Sequence, residues 1–351
     1  MLLANFGRWK NGGATRRRRG GPQYDAIEGM PRVVVDYEQP SCVSWDRFSV
    51  TGNPGGSKTP GLIREVGRQH VVSQVVLKNF MTGRDKQLAV VDRRNPKRYY
   101  LRSPRAVGFV NGFVAWDSQS AERLWSKTEQ RFGEAIWRLK TTKALASGSD
   151  DEQALRDGLA LHWARSKPVR LTSDRAMTEV LAEHHKMMSE RPDLLAALFK
   201  QQTGLDSTGP ESLAWVNDDF HSHPLPEVES GEHFRSRVEY FFRGAQNRFR
   251  PFGVQVCFLD TRAPGGLIIG DAPLITVGKE AVALNPLQGI ALGDAAGAWM
   301  PVSPGIAVSL HSRTEVIHGM SWEIGQQLNE QQRSAAVDQW FGRPDDVLQQ
   351  P

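Results

Sequence analysis

Arg68-Gln-His-Val-Val-Ser-Gln-Val-Val-Leu-Lys-Asn-Phe80 is the stretch at which a folded pattern switches on. Val71, Val72, Val75, Val76 and Phe80 recur at helical spacing, with Leu77 beside them. That spacing predicts a short helix over 69–80 despite the stiff β-branched side chains. Upstream the character is different. Residues 1–66 hold ten Gly and five Pro, and no apolar run keeps a helical or strand period. Short strands at Val33–Val35 and Trp45–Val50 are the only elements expected there, in a largely disordered extension.

The chain has 351 residues, 39% hydrophobic and 24% charged, enough to bury a sizeable core. Two cysteines, Cys42 and Cys257, form neither a disulfide framework nor a zinc-thiolate site. The opening Met-Leu-Leu-Ala-Asn-Phe lacks a basic start and a long apolar run, so no secretory signal is expected. No window holds the roughly 18 unbroken apolar residues of a membrane span. These features lead to the expectation of a soluble, cytoplasmic protein with no membrane partner.

Net charge is +5, and its distribution matters more than its size. Residues 1–66 carry ten Lys and Arg against six Asp and Glu, whereas the other 285 carry 34 against 33. The basic balance belongs to the N-terminal segment around Arg16, Arg17, Arg18 and Arg19. Nucleic acid is a candidate partner through that segment, against the plainer reading of a solvated basic tail. Gly52-Asn-Pro-Gly-Gly-Ser-Lys-Thr59 nearly spells a phosphate-binding P-loop, but Ser57 replaces the second Gly and Pro60-Gly61 opens poorly as the helix required.

Downstream, 86–92 and 98–102 read as strands around the Arg94-Asn-Pro turn. A helix follows from Ala121 to about Lys140, capped by Ser118 or Ser120, with one apolar stripe through Trp125, Phe132, Ile136 and Leu139. Ser149-Asp-Asp-Glu152 is a capping box for a helix reaching Ser166. Further helices are predicted at 173–188, 193–202, 210–215 and 232–248. After Pro251 the period shortens, predicting strands at 254–259, 266–269, 274–277, 298–302 and 306–310, then a last helix from Glu315 to about Ala336. The expected fold is α+β, with a mainly helical middle and a small sheet built from N-terminal and C-terminal strands. Residues 67–342 form the expected single domain and 343–351 a frayed end.

Several polar positions bear on chemistry. His70 opens the apolar stretch, as a base, a metal ligand or a hydrogen-bonded structural histidine. Glu122 and Glu129 lie seven apart on one helix side, as metal ligands or as surface ion pairs. Asp218-Asp-Phe-His-Ser-His223 with His233 has the residue types of a metal cluster, against the reading of an exposed loop. His184 and His185 are adjacent and form no ligand pair by themselves. Asp271 stands between two apolar strands, either holding the turn through backbone amides or pointing into a cleft. Ser303 in Met300-Pro-Val-Ser-Pro304 repeats the strand-turn-strand logic.

Three separated pieces resemble one family. His70-Val-Val-Ser-Gln-Val-Val-Leu-Lys-Asn-Phe80 resembles the opening His-Tyr-Val-Pro-x-x-Tyr-Leu-Arg-x-Phe of the bacterial domain-of-unknown-function family 4238. Glu122 to Leu139 is similar to its first long helix, with Glu129 at the acidic position. Gly270-Asp-Ala-Pro273 resembles its Ser-Asp-x-Pro, Met300 to Pro304 its Pro-Leu-Ser-Pro, and Leu328-Asn329 its late Leu-Asn. Ser73 replaces the family's Pro and Gly270 its Ser. The resemblance implies a domain over about 68–342 and ranks His70, Glu129 and Asp271 above other polar residues, but carries no activity.

Two functions are compatible with these readings. One is a non-catalytic binding or interaction module in which the three residues cap and hold turns. The other is a metal-assisted hydrolase, acting on nucleic acid, in which His70, Glu129 and Asp271 converge on a divalent cation.

Overall fold

The computed structural model describes residues 69–110, 119–207, 209–225, 228, 232–278 and 295–347. The Arg16–Arg19 run, the P-loop-like 52–59, the short strands expected at 33–35 and 45–50, Cys42 and the Ser118 cap lie outside these residues. So does 348–351.

The chain enters through β1 (Gln69–His70), α1 (Gln74–Leu77), β2 (Leu88–Asp92), β3 (Tyr99–Arg102) and β4 (Phe109–Val110). The helix expected over 69–80 is therefore split. His70 sits on a strand paired with Phe109, and only the stretch after Ser73 is helical. Among the described residues six helices follow: α2 (Gln119–Thr142), α3 (Asp150–Ala164), α4 (Lys167–Ser189), α5 (Pro192–Thr203), α6 (Pro210–Ser222) and α7 (Glu232–Phe249). Helix α3 begins where expected, with the Ser149 hydroxyl accepting the Glu152 N–H. Glu152 in turn accepts the Gly148 N–H, one residue before the cap. Ser166 is the N-cap of α4, which starts six residues earlier than the apolar period suggests.

The C-terminal part is β5 (Gly253–Leu259), β6 (Ile269–Gly270), β7 (Ile275–Val277), β8 (Gly297–Ser303), β9 (Ile306–His311), β10 (Glu315–Met320), α8 (Trp322–Ala335), β11 (Gln339–Gly342) and α9 (Pro344–Val347). It builds a five-stranded sheet in the order β10-β5-β9-β8-β7 and contributes to a four-stranded sheet, β3-β2-β11-β6. The second sheet joins N-terminal and C-terminal strands, so the α+β class holds. The first sheet is made from C-terminal strands alone.

Alternation places the core on both faces of the five-stranded sheet. Val254, Val256, Met300, Val302, Val308 and Leu310 pack with Phe132 and Leu139 of α2, Leu155 of α3 and Phe242 of α7. Their alternates Cys257, Leu259 and Ala307 pack beneath α8 residues Trp322, Ile324 and Leu328. Strand β2 is buried on both faces, which is why Leu88-Ala-Val-Val91 reads as an unbroken apolar run.

Three residues, 312–314, carry the chain from β9 across the start of β5 to β10, parallel to β5 on its other side. The crossing needs Gly253, because a Cβ there would lie 2.3 Å from the Arg313 carbonyl carbon. Thr314 Oγ1 accepts the Val254 N–H and donates to Glu152 Oε1, tying the crossing to α3.

Three more expectations need correction. Residues 315–320, read as the opening of the last helix, are strand β10, and the helix starts after Ser321. Val316 and Ile317 favour a strand, and Gly319 at φ +75° breaks any helical period. The strand expected over 266–269 shrinks to 269–270, because side chains take its ladder. Asn329 Oδ1 accepts the Ile268 N–H, and Asn329 Nδ2 donates to the Gly266 carbonyl. Gln332 repeats this one helical turn on, accepting from Gly270 and donating to Pro273. Residues 344–347, assigned to the frayed end, form a short helix with Asp346 and Val347 buried.

Candidate functional site

Arg165, at the junction of α3 and α4, is the centre of a polar cluster within the apolar core. Its Nη2 lies 2.5 Å from both Ser73 Oγ and Glu129 Oε1, and the Ser73 hydroxyl donates to the same carboxylate oxygen at 2.7 Å. Ser73 is the N-cap of α1 but makes no side-chain cap bond, since its hydroxyl is spent on this cluster. Its backbone N–H donates to His162 Nε2 at 3.3 Å, and His162 Nδ1–H donates to the Gly158 carbonyl at 2.7 Å. That tautomer is the neutral imidazole. Burial, then the Arg165 charge, pushes the His162 pKa down to about 3. Burial opposes ionisation of Glu129, but the Arg165 charge and the Ser73 hydroxyl outweigh it and hold the carboxyl below its usual range. The Arg165 guanidinium also stands 5.9 Å from the Trp125 ring centroid.

His70 borders this cluster. Its Nε2 is 3.2 Å from Gln74 Nε2, and its ring packs edge-on to Phe109 at 6.0 Å. Burial, then Arg165, lowers its pKa, with Glu129 acting in the opposite sense. Two of the three ranked residues, His70 and Glu129, are thus within electrostatic reach of one another. The side chain of Glu122 lies outside the described residues.

Asp271 has separate partners. Oδ1 accepts the Val337 N–H at 2.7 Å, and Oδ2 accepts the Asp338 N–H at 3.0 Å and Lys167 Nζ at 3.1 Å. Its own N–H donates to the Gln339 carbonyl. This carboxylate is buried and holds the junction between α8 and β11. Arg165 and Lys167 flank the Ser166 cap, so one helix start serves both acids.

The two acids and the imidazole do not suit a shared cation. Glu129 Oε1 faces a guanidinium, and both Asp271 oxygens face backbone amides. Among the described residues, no group of three or more His, Cys, Asp and Glu side chains is placed to hold a metal. The His-rich stretch is the end of α6, helical as far as Ser222 rather than a loop, though Asp218, Phe220, Ser222 and His223 are exposed as expected. His221 turns inward and pairs with His184 Nδ1 at 2.8 Å, while Asp218 pairs with His185 Nε2 at 2.8 Å. Adjacent His184 and His185 therefore both face α6, as a helix contact.

An open cavity lies elsewhere, and of the motifs singled out in the sequence it takes in only Ser303 and Pro304. A groove of about 610 Å³ runs between the end of α2 and the ends of β5 and β10. Lys140, Lys143 and Arg343 line it together with Phe258, His318 and Ser303. The Phe258 and His318 rings are stacked at 5.2 Å and 16°. A bulge brings them together, since Ile317 pairs with Cys257 but Met320 with Leu259, and Gly319 in the left-handed region absorbs the extra residue. Lys143 closes α2 in the left-handed conformation, φ +52°, with its N–H on the Leu139 carbonyl. Asp260, the acid in the groove, is ion-paired with Arg262, whose hydrogen bonds hold its carboxyl at about 2.

Fold and groove define an α+β domain whose ranked acids are internally bonded and whose open cavity is basic. Residues 68–339 match the family described as "Protein of unknown function (DUF4238)". The match spans most of the chain, and the chain belongs to that family. No curated protein and no solved structure matches it.

Proposed function

We propose that this protein is a non-catalytic binding module whose ligand seat is the groove between α2, β5 and β10. The observation that carries this reading is that the Glu129 and Asp271 oxygens are held by Arg165, Ser73, Lys167 and two backbone amides. A hydrolytic site would have to break these buried bonds before it could take a cation, at a cost of several kcal/mol. The groove residues, by contrast, face an open concavity, and its Lys140 and Lys143 have no ion pair among the described residues. Among the described residues no helix is long and apolar enough to cross a membrane, and a cytoplasmic location forms part of the proposal.

The test is direct. Wild type, Glu129→Gln and Asp271→Asn are incubated with Mg²⁺, Mn²⁺ or Zn²⁺ and with single- and double-stranded DNA and RNA. No cleavage and no stoichiometric metal are expected in any of the three. Cleavage by wild type that disappears in folded variants would establish the metal-assisted hydrolase and overturn this reading.

A further inference from the structure

The groove's chemistry narrows its ligand, an inference that rests on the binding reading above. We infer that the groove binds a nucleoside phosphate, a planar ring carrying at least one phosphate. Two features of different kind meet there. The first is an aromatic wall: Phe258 and His318 are held face to face by the β10 bulge, and His318 is exposed while Phe258 is half-buried. A flat heteroaromatic ring stacks on such a surface with little sequence preference.

The second feature is positive charge, with two lysines that have no ion pair among the described residues. Lys140 donates to the amide oxygen of Asn79, a neutral partner. Lys143 has no ion pair among the described residues. Arg343 is ion-paired through its Nε with the buried Asp346, which fixes the guanidinium in the groove wall. Asp260 is neutralised by Arg262. Ser303 lines the same groove, a buried hydroxyl whose oxygen accepts the Gly305 N–H, so its proton is left to donate. Two ammonium groups, a fixed guanidinium and a hydroxyl donor match the oxygens of a phosphate, and charge-assisted bonds to it are the strong ones.

Three alternatives fit less well. A bare inorganic anion leaves the aromatic wall unused, and an unphosphorylated ring leaves the cations unused. A carboxylate has two oxygens to offer four donors. The cavity volume of about 610 Å³ accommodates one nucleotide rather than a folded partner. The ligand is either a free nucleotide or the terminal nucleotide of a single strand, since both present the same chemistry.

The full-length protein is titrated calorimetrically with the four nucleoside 5′-monophosphates, adenosine, inorganic phosphate, and a short 5′-phosphorylated single-stranded DNA. At least one monophosphate is expected to bind, with adenosine and phosphate each at least about tenfold weaker. Lys143→Glu and Lys140→Ala, both at exposed positions, are expected to weaken it about tenfold while leaving the ligand-free melting temperature unchanged. If the oligonucleotide binds and no monophosphate does, with the same lysine dependence, the source is a strand end and the inference stands. Phosphate binding as tightly as every nucleotide overturns it and leaves the binding module intact. Absence of binding by every probe also overturns it. Chromatography of the recovered nucleotide separates the two readings: a nucleotide that binds but is consumed with added metal keeps the ligand class and removes the non-catalytic reading.

Discussion

Ser73 shows how one side chain decides whether a conserved-looking motif is a site or a joint. Its φ of −54° accepts proline, the residue found here in the resembling motif, so the backbone alone does not explain serine. The N–H to His162 and the hydroxyl between Glu129 and Arg165 do. Ser73→Ala keeps the first and loses the second, at a cost of about 1–3 kcal/mol for the buried partners left short. Ser73→Pro loses both. Urea unfolding should rank wild type above Ser73→Ala and Ser73→Pro lowest; a Ser73→Pro protein as stable as Ser73→Ala would refute the bond to His162. His162 makes a second prediction. An unfolded histidine takes up a proton below its ordinary 6.5, while native His162 does so only near 3. Stability present above pH 6.5 is therefore lost progressively as pH falls toward 3, with Glu129 adding loss below its unfolded value of 4.5. Unfolding free energies measured between pH 7 and pH 5 should fall less steeply in His162→Gln than in wild type. Equal slopes would remove His162 as the source.

At the scale of elements, periodicity was a good guide where a face is buried and a poor one where side chains replace the backbone. The α2 stripe and the β5, β8 and β9 alternation were legible because each buries one regular face. The 266–270 segment was not, because its hydrogen bonds go to Asn329 and Gln332 on α8, a partnership 61–63 residues distant that no local window contains. Strand β10 was hidden for a similar reason. Its six residues run straight into α8, and only Gly319 and Ser321 mark the boundary. The Asn329 stitch can be tested. Asn329→Leu leaves the buried Ile268 N–H and Gly266 C=O without partners, roughly 2–5 kcal/mol. Asn329→Asp keeps the acceptor for Ile268 and should cost less. Chemical denaturation giving a loss below about 0.5 kcal/mol for Asn329→Leu would mean the stitch holds nothing.

Across the whole molecule, the ranked residues were recovered as structural centres more readily than as a site. Spacing and residue type cannot distinguish a carboxylate aimed at a ligand from one aimed at Arg165 or at the amides of 337 and 338. The groove has little signature in sequence because its walls come from five separate stretches between Lys140 and Arg343, of which only Ser303 and Pro304 fall in a motif. Charge, in contrast, divides cleanly along the chain. Residues 1–66 carry a net +4 and the remainder +1, while the family match begins at 68. Two kinds of binding should therefore separate on truncation. A protein lacking residues 1–66 is expected to melt within about 2 °C of the full chain, since the described core draws on 71–347. It should keep nucleotide binding in the groove, whose lining lies entirely beyond residue 139. Salt-sensitive adsorption to nucleic acid, if it comes from the Arg16–Arg19 run, should fall with the deletion, and the slope of log affinity against log salt should shrink toward that of a nearly neutral domain. A truncated protein that retains the full salt slope would move the nucleic-acid contact onto the domain itself, and the cations of the groove would be the first place to find it.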